Sequence, residues 1–270
     1  MPSQPNEAPA STPSAPAGST LDRALELVRF LRQNCPWDAA QTPESLVPYL
    51  LEESHEVADA IAAGVIANKT ELTSELGDLL LNVAFQIVLA EERKDFTAED
   101  VVRALESKMR RRHPHLYEGG ERQDWETLKA QERAHADPEL SVLHGLARGL
   151  DPLSKAHRIQ ERVSTVGFDW SDARGAFEKV AEELEEVREA MEAEPSPALE
   201  EELGDLLFAV VNLTRLAGTH SLQALQQANR KFTARFEGLE RLARERGIVL
   251  GEATLEELDR LWEEIKLSGR

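Results

Sequence analysis

Cysteine is almost absent from this chain, since Cys35 is the only one among 270 residues. A single cysteine cannot form an intrachain disulfide, so the composition is typical of a protein from the reducing cytoplasm. Long hydrophobic runs are also missing. The most apolar stretch, 79–90, is well short of the roughly 20 residues that a membrane-spanning helix needs. Disulfide-stabilised and membrane-spanning folds are therefore not expected.

Positive charge is scarce. The chain has 31 Lys and Arg against 50 Asp and Glu, giving a net charge of −19. A surface this acidic repels nucleic acid polymers and anionic membranes, so we expect neither as a partner. A small phosphorylated substrate is not excluded, because bound metal ions can supply local positive charge.

Alternating β-branched runs are missing as well, and most of the chain shows helical apolar spacing. The sequence therefore predicts an all-α fold. It contains no GxxxxGK[ST] motif, which excludes a P-loop ATPase, and no GxGxxG motif after a strand, which excludes a dinucleotide-binding fold.

The chain divides into two similar halves behind a short tail. Residues 1–18 are rich in Pro, Ala and Ser and carry no secretory signal, so we expect a disordered tail. The order of motifs then repeats. It predicts an N-terminal helical domain at 19–137, a linker at 138–152 and a C-terminal helical domain at 153–270.

An acidic pattern occurs in both halves: Glu-Glu-x-x-Glu, and later Glu-x-x-Asp at the start of an apolar run. Residues three and four apart share a helix face, so two antiparallel helices would gather four or five carboxylates. Such crowding raises carboxyl pKa values unless a cation is bound, and Mg²⁺ is the usual cation for oxygen ligands, with Mn²⁺ as a substitute. The positions are Glu52, Glu53, Glu56, Glu75 and Asp78, then Glu182, Glu183, Glu186, Glu202 and Asp205.

The alternative is a pair of solvated acidic helix faces, which one copy of the motif alone would favour. Two observations favour the metal site instead. The Glu-x-x-Asp pair leads into the apolar run 79–90, which predicts a buried helix, and carboxylates entering such a helix need partners. The whole acidic set also recurs in the second half, before the similar run 206–216.

Cations and tryptophans recur at matching helical spacing in both halves. Paired cations beside an acidic metal site can contact phosphate oxygens, and a tryptophan can stack on a base. The alternatives are surface salt bridges for the cations and core packing for the tryptophans. The residues are Lys108, Arg112, Trp125 and Lys129 in the first half, and Lys231, Arg235, Trp262 and Lys266 in the second.

Taken in order and twice over, these motifs resemble the MazG family of nucleoside triphosphate pyrophosphohydrolases. Supporting stretches are 35–38, 111–115, 166–170, 202–208 and 228–232. The resemblance implies tandem MazG-like helical repeats whose four-helix-bundle cores are related to dimeric dUTPases. It also implies Mg²⁺-dependent hydrolysis of nucleoside triphosphates to monophosphate and pyrophosphate, a housecleaning role, and a homodimer or higher assembly.

By position, the resemblance implies roles for individual residues. The metal ligands would be Glu183, Glu186, Glu202 and Asp205, and in the first half Glu53, Glu56, Glu75 and Asp78. Nucleotide contacts would be Lys231, Arg235 and Trp262, together with Lys179 and Lys266. Water would attack the α-phosphorus, and Glu182 or Glu52 would accept its proton.

The two halves differ at one position of the apolar helix, where Asn212 replaces Phe85. An asparagine can hydrogen-bond a sugar or base, which favours the second half as the catalytic one. The first half is then active too, selective for another nucleotide, or architectural. Two alternatives to the enzyme as a whole stay open: a non-catalytic nucleotide-binding or protein-interaction module, and a narrow dUTP or dCTP pyrophosphatase.

Overall fold

The computed structural model describes residues 19–62, 69–117, 128–129, 131, 140–192 and 197–268. All regular secondary structure within these ranges is helical, which confirms the predicted all-α fold. Contacts divide the chain into two compact units, Met1–Gly120 and Glu121–Arg270. The predicted tail lies outside the described residues, as does most of 118–139, so the domain limits at 137 and 152 stay predictions.

Matching caps start two helices of the first unit. Ser19 Oγ accepts a hydrogen bond from the Asp22 backbone N–H, and the Asp22 carboxylate accepts one from the Ser19 backbone N–H. Thr97 and Asp100 form the same reciprocal pair at the start of the helix Ala98–Arg112. Such pairs satisfy N–H groups that have no partner inside a helix. The helices are α1 Thr20–Asn34, α2 Pro36–Ala39, α3 Val47–Ala62, α4 Lys69–Arg93, α5 Ala98–Arg112 and α6 Pro114–Tyr117.

The stretch Thr42-Pro43-Glu44-Ser45 predicts a capped helix with proline in its first turn, but α3 begins later. The hydroxyl of Thr42 does accept from the Ser45 backbone N–H at 3.2 Å, but residues 43–46 form a turn. The regular helix starts at Val47, and Pro48 lies in its first turn. Proline has no backbone N–H to donate, and it is tolerated in a first turn because that N–H would have no partner inside the helix. Pro48 therefore cannot make the backbone hydrogen bond that would continue the helix back into the turn at 43–46.

Helix α4 supplies the core of the first unit, but only its second half is buried. Residues 84, 85 and 87–89 pack against Leu25 and Val28 of α1 and against Leu46, and Ala90 is buried as well. Leu80 and Val83 are exposed, so the prediction of a helix buried on all sides is wrong for the first part of the apolar run. By length and composition α4 could cross a membrane, although the core helix of a soluble protein passes the same test.

The second unit repeats the paired helices and adds a hairpin. Its helices are α7 Pro152–Ser164, α8 Ala173–Glu192, α9 Pro197–Leu216, α10 Ser221–Glu245 and α11 Leu255–Ser268. Helix α8 packs mainly on α9, and α9 also contacts α7. Leu239 and Ala243 of α10 pack on Leu261 and Ile265 of α11.

Polar side chains line part of the interior of the second unit. The ring of buried His157 stacks on His220 with centroids 4.1 Å apart. Gln160 is also buried, and its Nε2 donates to the Phe208 carbonyl at 2.8 Å. Burial is the main cause that lowers the pKa of His157, followed by its neighbour His220. This unit therefore contains a titratable group whose charged form is disfavoured by the fold.

Candidate metal and nucleotide site

Three carboxylates of the first half converge between α3 and α4. Glu53 and Glu56 of α3 and Glu75 of α4 offer oxygens that all lie within 4.8 Å of one another. Burial, then repulsion from Asp78, Glu56 and Glu75, raises the pKa of Glu53. Burial and the neighbouring Glu56 likewise raise the pKa of Glu75. The predicted convergence therefore occurs, and the carboxylates repel one another.

The equivalent carboxylates of the second half converge between α8 and α9. Glu183 and Glu186 of α8 and Glu202 of α9 offer oxygens within 4.8 Å of one another. The neighbouring Glu183 is the main cause that raises the pKa of Glu186, followed by burial. The repeated spacing has thus produced the same triad in both units.

Glu183 provides the test of whether this site fits a cation. The residue is only 4% exposed. Its Oε1 lies 2.7 Å from Lys179 Nζ, whereas its buried Oε2 has no hydrogen-bond partner in the described part of the chain. An unpaired buried carboxylate oxygen is costly, and a hard divalent cation bound by carboxylate oxygens would satisfy it. The donor set fits Mg²⁺ or Mn²⁺.

The two predicted aspartate ligands lie beside the triads. The Asp78 carboxylate is close enough to contribute to the raised pKa of Glu53. Asp205 lines a cavity together with Glu183. Neither aspartate belongs to the sets of oxygens within 4.8 Å, so their role as ligands stays a prediction.

Lys179 pairs both with Glu182, the predicted proton acceptor, and with Glu183 of the carboxylate triad. Its Nζ lies 2.8 Å from Glu182 Oε1 as well as 2.7 Å from Glu183 Oε1. Hydrogen bonds to Glu182 and then Glu183 raise the pKa of Lys179 above its usual range. The Glu182 side chain is exposed, as is Glu52 in the first half. Lys179 is therefore charged and sits at the edge of the triad.

A cavity of about 290 Å³ opens beside Glu183. Its walls combine an indole ring, a lysine, two carboxylates and a buried amide, with small apolar groups between them. A concave site with a few convergent polar groups is the usual form of a small-molecule binding site. The lining residues are Trp170, Ala176, Lys179, Glu183, Asp205, Phe208, Ala209 and Asn212.

A hydrogen-bond chain fixes one end of this cavity. Arg215 donates from Nε and Nη2 to Asn212 Oδ1, at 3.0 and 2.6 Å. Arg215 Nη2 also donates to Asp169 Oδ1 at 2.6 Å, and that oxygen accepts the Trp170 backbone N–H at 2.9 Å. The loop before α8 is thereby joined to α9, and both Trp170 and Asn212 are held in place.

The other predicted nucleotide contacts of the second half are not among the described residues that line the cavity. Trp262 of α11 packs on Phe232 with ring centroids 5.2 Å apart, and Lys266 pairs with Glu263. Trp125 lies outside the described residues. The roles of these residues stay predictions. The remaining cations lie on α10 (Lys231 and Arg235), on α5 (Lys108 and Arg112) and at the described position Lys129.

Sequence reasoning missed three members of the site: Trp170 as a wall of the cavity, and Asp169 and Arg215 as supports of Asn212. One signal was available for the first two. The stretch 167–170 interrupts the helical pattern shortly before the second Glu-Glu-x-x-Glu motif, which places its side chains near that motif. Nothing in the local pattern around Arg215 marks it.

Comparisons with known proteins identify the family of this chain. A sequence model of the MazG nucleotide pyrophosphohydrolase domain matches residues 41–117 and 175–238. The chain is 44% identical over 256 residues to the nucleoside triphosphate pyrophosphohydrolase/pyrophosphatase MazG of Thermotoga maritima, covering 93% of this chain and 97% of that protein. It is 41% identical over 258 residues to the nucleoside triphosphate pyrophosphohydrolase of Escherichia coli K12, covering 91% and 97%. The chain therefore belongs to the MazG family of nucleotide pyrophosphohydrolases.

Proposed function

We propose that this chain hydrolyses nucleoside triphosphates to nucleoside monophosphate and pyrophosphate at the acidic cluster of its second half. One observation carries the proposal: the buried Glu183 has an oxygen with no hydrogen-bond partner among the described residues, within a carboxylate triad that adjoins a cavity lined by Lys179 and Asn212. The activity in the names of the Thermotoga maritima and Escherichia coli relatives supports it.

The residues of the second half divide into ligands and phosphate contacts. Glu183, Glu186 and Glu202, with Asp205 beside them, would hold Mg²⁺. When bound, the cation would neutralise charge on the triphosphate and lower the pKa of a water. Lys179 is placed to pair with a phosphate oxygen once a cation takes over the charge of Glu183.

The hydrolytic step needs a nucleophile, a proton acceptor and a leaving group. A water oxygen attacks the α-phosphorus, the bond from that phosphorus to the bridging oxygen breaks, and pyrophosphate leaves with the bonding electrons. Glu182 would accept the water proton in the second half, and Glu52 is its counterpart in the first. Glu182 Oε1 lies 2.8 Å from Lys179 Nζ, at the edge of the triad where that water would be bound.

We further propose a homodimer or larger assembly, formed through the helices that carry the motifs. In the second unit α8 and α9 expose large apolar side chains, which a second copy could cover. They are Phe177, Leu184, Met191, Leu203, Leu207 and Val210.

The single cysteine favours a cytoplasmic location.

Pyrophosphate release from a panel of ribo- and deoxynucleoside triphosphates, with Mg²⁺ and with Mn²⁺, tests the proposal. We would compare the wild type with Glu183→Gln, Glu53→Gln and the control Glu185→Gln. Glu185 lies on the same helix as Glu183 but pairs with Arg188 instead of joining the triad. The expected result is release by the wild type and the control, and loss in Glu183→Gln.

The panel also separates the alternatives. Release from dUTP or dCTP alone would indicate the narrow pyrophosphatase, and loss in Glu53→Gln alone would assign catalysis to the first half. Without release from any nucleotide with either cation, the hydrolase proposal fails and the non-catalytic binding module takes its place.

A further inference from the structure

We infer that the cavity beside Glu183 is the base subsite of the second half, and that Asn212 selects bases presenting a carbonyl oxygen. The inference rests on the proposed function, because it places the triphosphate at the adjoining carboxylates. It adds the part of the substrate that those carboxylates do not contact. Its substrate class is the oxo-bases, such as uracil and guanine, in preference to the amino-bases cytosine and adenine.

The Trp170 ring lies against the first turn of α8. An added Cβ on Gly175 would lie 2.3 Å from Trp170 Cδ1 and 2.9 Å from Cγ. Only glycine allows the indole to lie this close to the first turn of α8. The ring is 44% exposed and lines the cavity, so it offers a flat apolar wall on which a base can stack.

The side-chain oxygen of Asn212 is already occupied by hydrogen bonds. The residue is buried, and its Oδ1 already accepts two hydrogen bonds from Arg215. The polar atom that it can still offer to a ligand in the cavity is Nδ2, which can only donate. Asp169 holds Arg215 from the other side, so the amide cannot exchange the two ends without losing those bonds.

A donor fixed in this way discriminates between bases. A carbonyl oxygen at position 4 of a pyrimidine or position 6 of a purine would accept from Nδ2. An amino group at the same position would place two donors against each other and leave both unpaired. An unpaired buried polar group costs about 1–3 kcal/mol, which corresponds to about 5- to 150-fold in affinity. Phe85 stands at the equivalent position of the first half and provides no such donor.

The test uses the full chain carrying Glu53→Gln, so that only the second half reports. Calorimetric dissociation constants would be measured with the α,β-methylene analogues of UTP, CTP, GTP and ATP in the presence of Mg²⁺, since these are not hydrolysed at the α-phosphorus. We expect the oxo member of each pair to bind about tenfold more tightly or better. The kcat/KM values for the natural nucleotides should give the same order.

Two variants separate selection from mere packing. Asn212→Asp keeps the contacts with Arg215 and replaces the Nδ2 donor by an acceptor, so the oxo-to-amino ratio should invert. Asp169→Asn removes the charge that holds Arg215, so the amide can turn and the ratio should fall towards one. Gln86→Glu is the matched control, an amide-to-acid change on α4 of the first unit, and should leave the ratio as it was.

The outcomes distinguish the subsite from the activity that it serves. Pyrophosphate release with a ratio that Asn212→Asp leaves unchanged would overturn the subsite and leave the hydrolase standing. Equal binding of oxo- and amino-analogues by the Glu53→Gln chain would also overturn it. If Asn212→Asp inverts the oxo-to-amino ratio of analogue binding but no natural nucleotide releases pyrophosphate, the subsite is supported and the hydrolase proposal is overturned.

Discussion

The two acidic clusters use equivalent positions of the repeat in different surroundings. In the first half Tyr49 lies four residues before Glu53, and its ring packs edge-on against Trp37 with centroids 6.1 Å apart. In the second half the same position holds Lys179, which pairs with Glu183 at 2.7 Å. Helix α3 contains no Lys or Arg, so its carboxylates receive no positive charge from their own helix.

The acidic motif accounts for the carboxylate triads, whereas residues outside the motif account for the cavity of the second half. The spacing alone brings three carboxylates together in each unit. A lysine, a tryptophan and an asparagine around the second cluster add a cavity that the motif does not encode. Phe85, the counterpart of Asn212, is instead part of the apolar core of the first unit. The repeat therefore keeps the carboxylate triad in both halves, while the surrounding side chains differ between them.

The largest expected difference between the halves is in the response to losing one aspartate. Asp205→Asn should lower pyrophosphate release by about 100-fold or more, equivalent to about 2.7 kcal/mol of transition-state stabilisation, because this carboxylate lies beside both Glu183 and the cavity. Asp78→Asn should change it by less than about threefold. Steady-state kinetics with Mg²⁺ would measure both. Equal losses would mean that the halves are catalytically equivalent, contrary to the comparison.

A smaller difference should appear in the pH dependence of stability. The pKa of His157 is lowered in the folded chain, so the unfolded chain binds more protons as the pH falls below about 6.5. Folding stability from this residue is therefore present above that pH and is lost as the pH falls towards the lowered folded value. Its charged and titratable neighbours are His220, Glu161, Arg158 and Arg215.

Calorimetric unfolding at about pH 7.5 and about pH 5.5 would measure the effect. The unfolding temperature of the wild type should fall with pH, and His157→Phe should reduce that fall while keeping a ring against His220. His144→Gln changes an exposed histidine of the same unit and should behave as the wild type. A fall that is equally large in His157→Phe would exclude His157 as its cause.

The smallest expected effect is one that the halves should share. Gly77 and Gly204 occupy equivalent positions inside α4 and α9, and an added Cβ at either would meet nothing within 4 Å. Alanine should therefore raise the unfolding free energy by about 0.8–1 kcal/mol in each unit through helix propensity. Urea denaturation would measure it. A loss of stability in either variant would indicate that a second copy covers that helix face, which sedimentation analysis would detect.

Much of the fold was open to prediction because its signals are local. Caps such as Ser19 with Asp22 depend on residues three apart, and they appear where the sequence places them. The carboxylate triads were predictable for the same reason, since helical spacing fixes one face and the repeat identifies the partner helix. The start of α3 was missed because a proline within the first turn competes with the earlier capping signal.

Other features depend on contacts between distant residues. The role of Trp262 in nucleotide binding stays a prediction, whereas Trp170 lines the cavity without having been singled out from the sequence. The choice depends on how the loop before α8 folds back against Gly175 and Arg215. The exposure of Leu80 and Val83 likewise depends on which neighbours reach α4, and the apolar pattern of the helix does not contain that information.

The sequence by itself determined the all-α fold, the doubled organisation and the meeting of carboxylates from two helices in each half, because helical periodicity converts spacing into shared faces. Tertiary structure decided the rest. It buried Glu183 with one oxygen unpaired, placed Lys179 against it, and directed the Asn212 oxygen to Arg215. Those outcomes arise from packing between elements far apart in the chain. Whether a polar group is buried, and which partner it then finds, depends on those distant contacts and cannot be seen in the local sequence pattern.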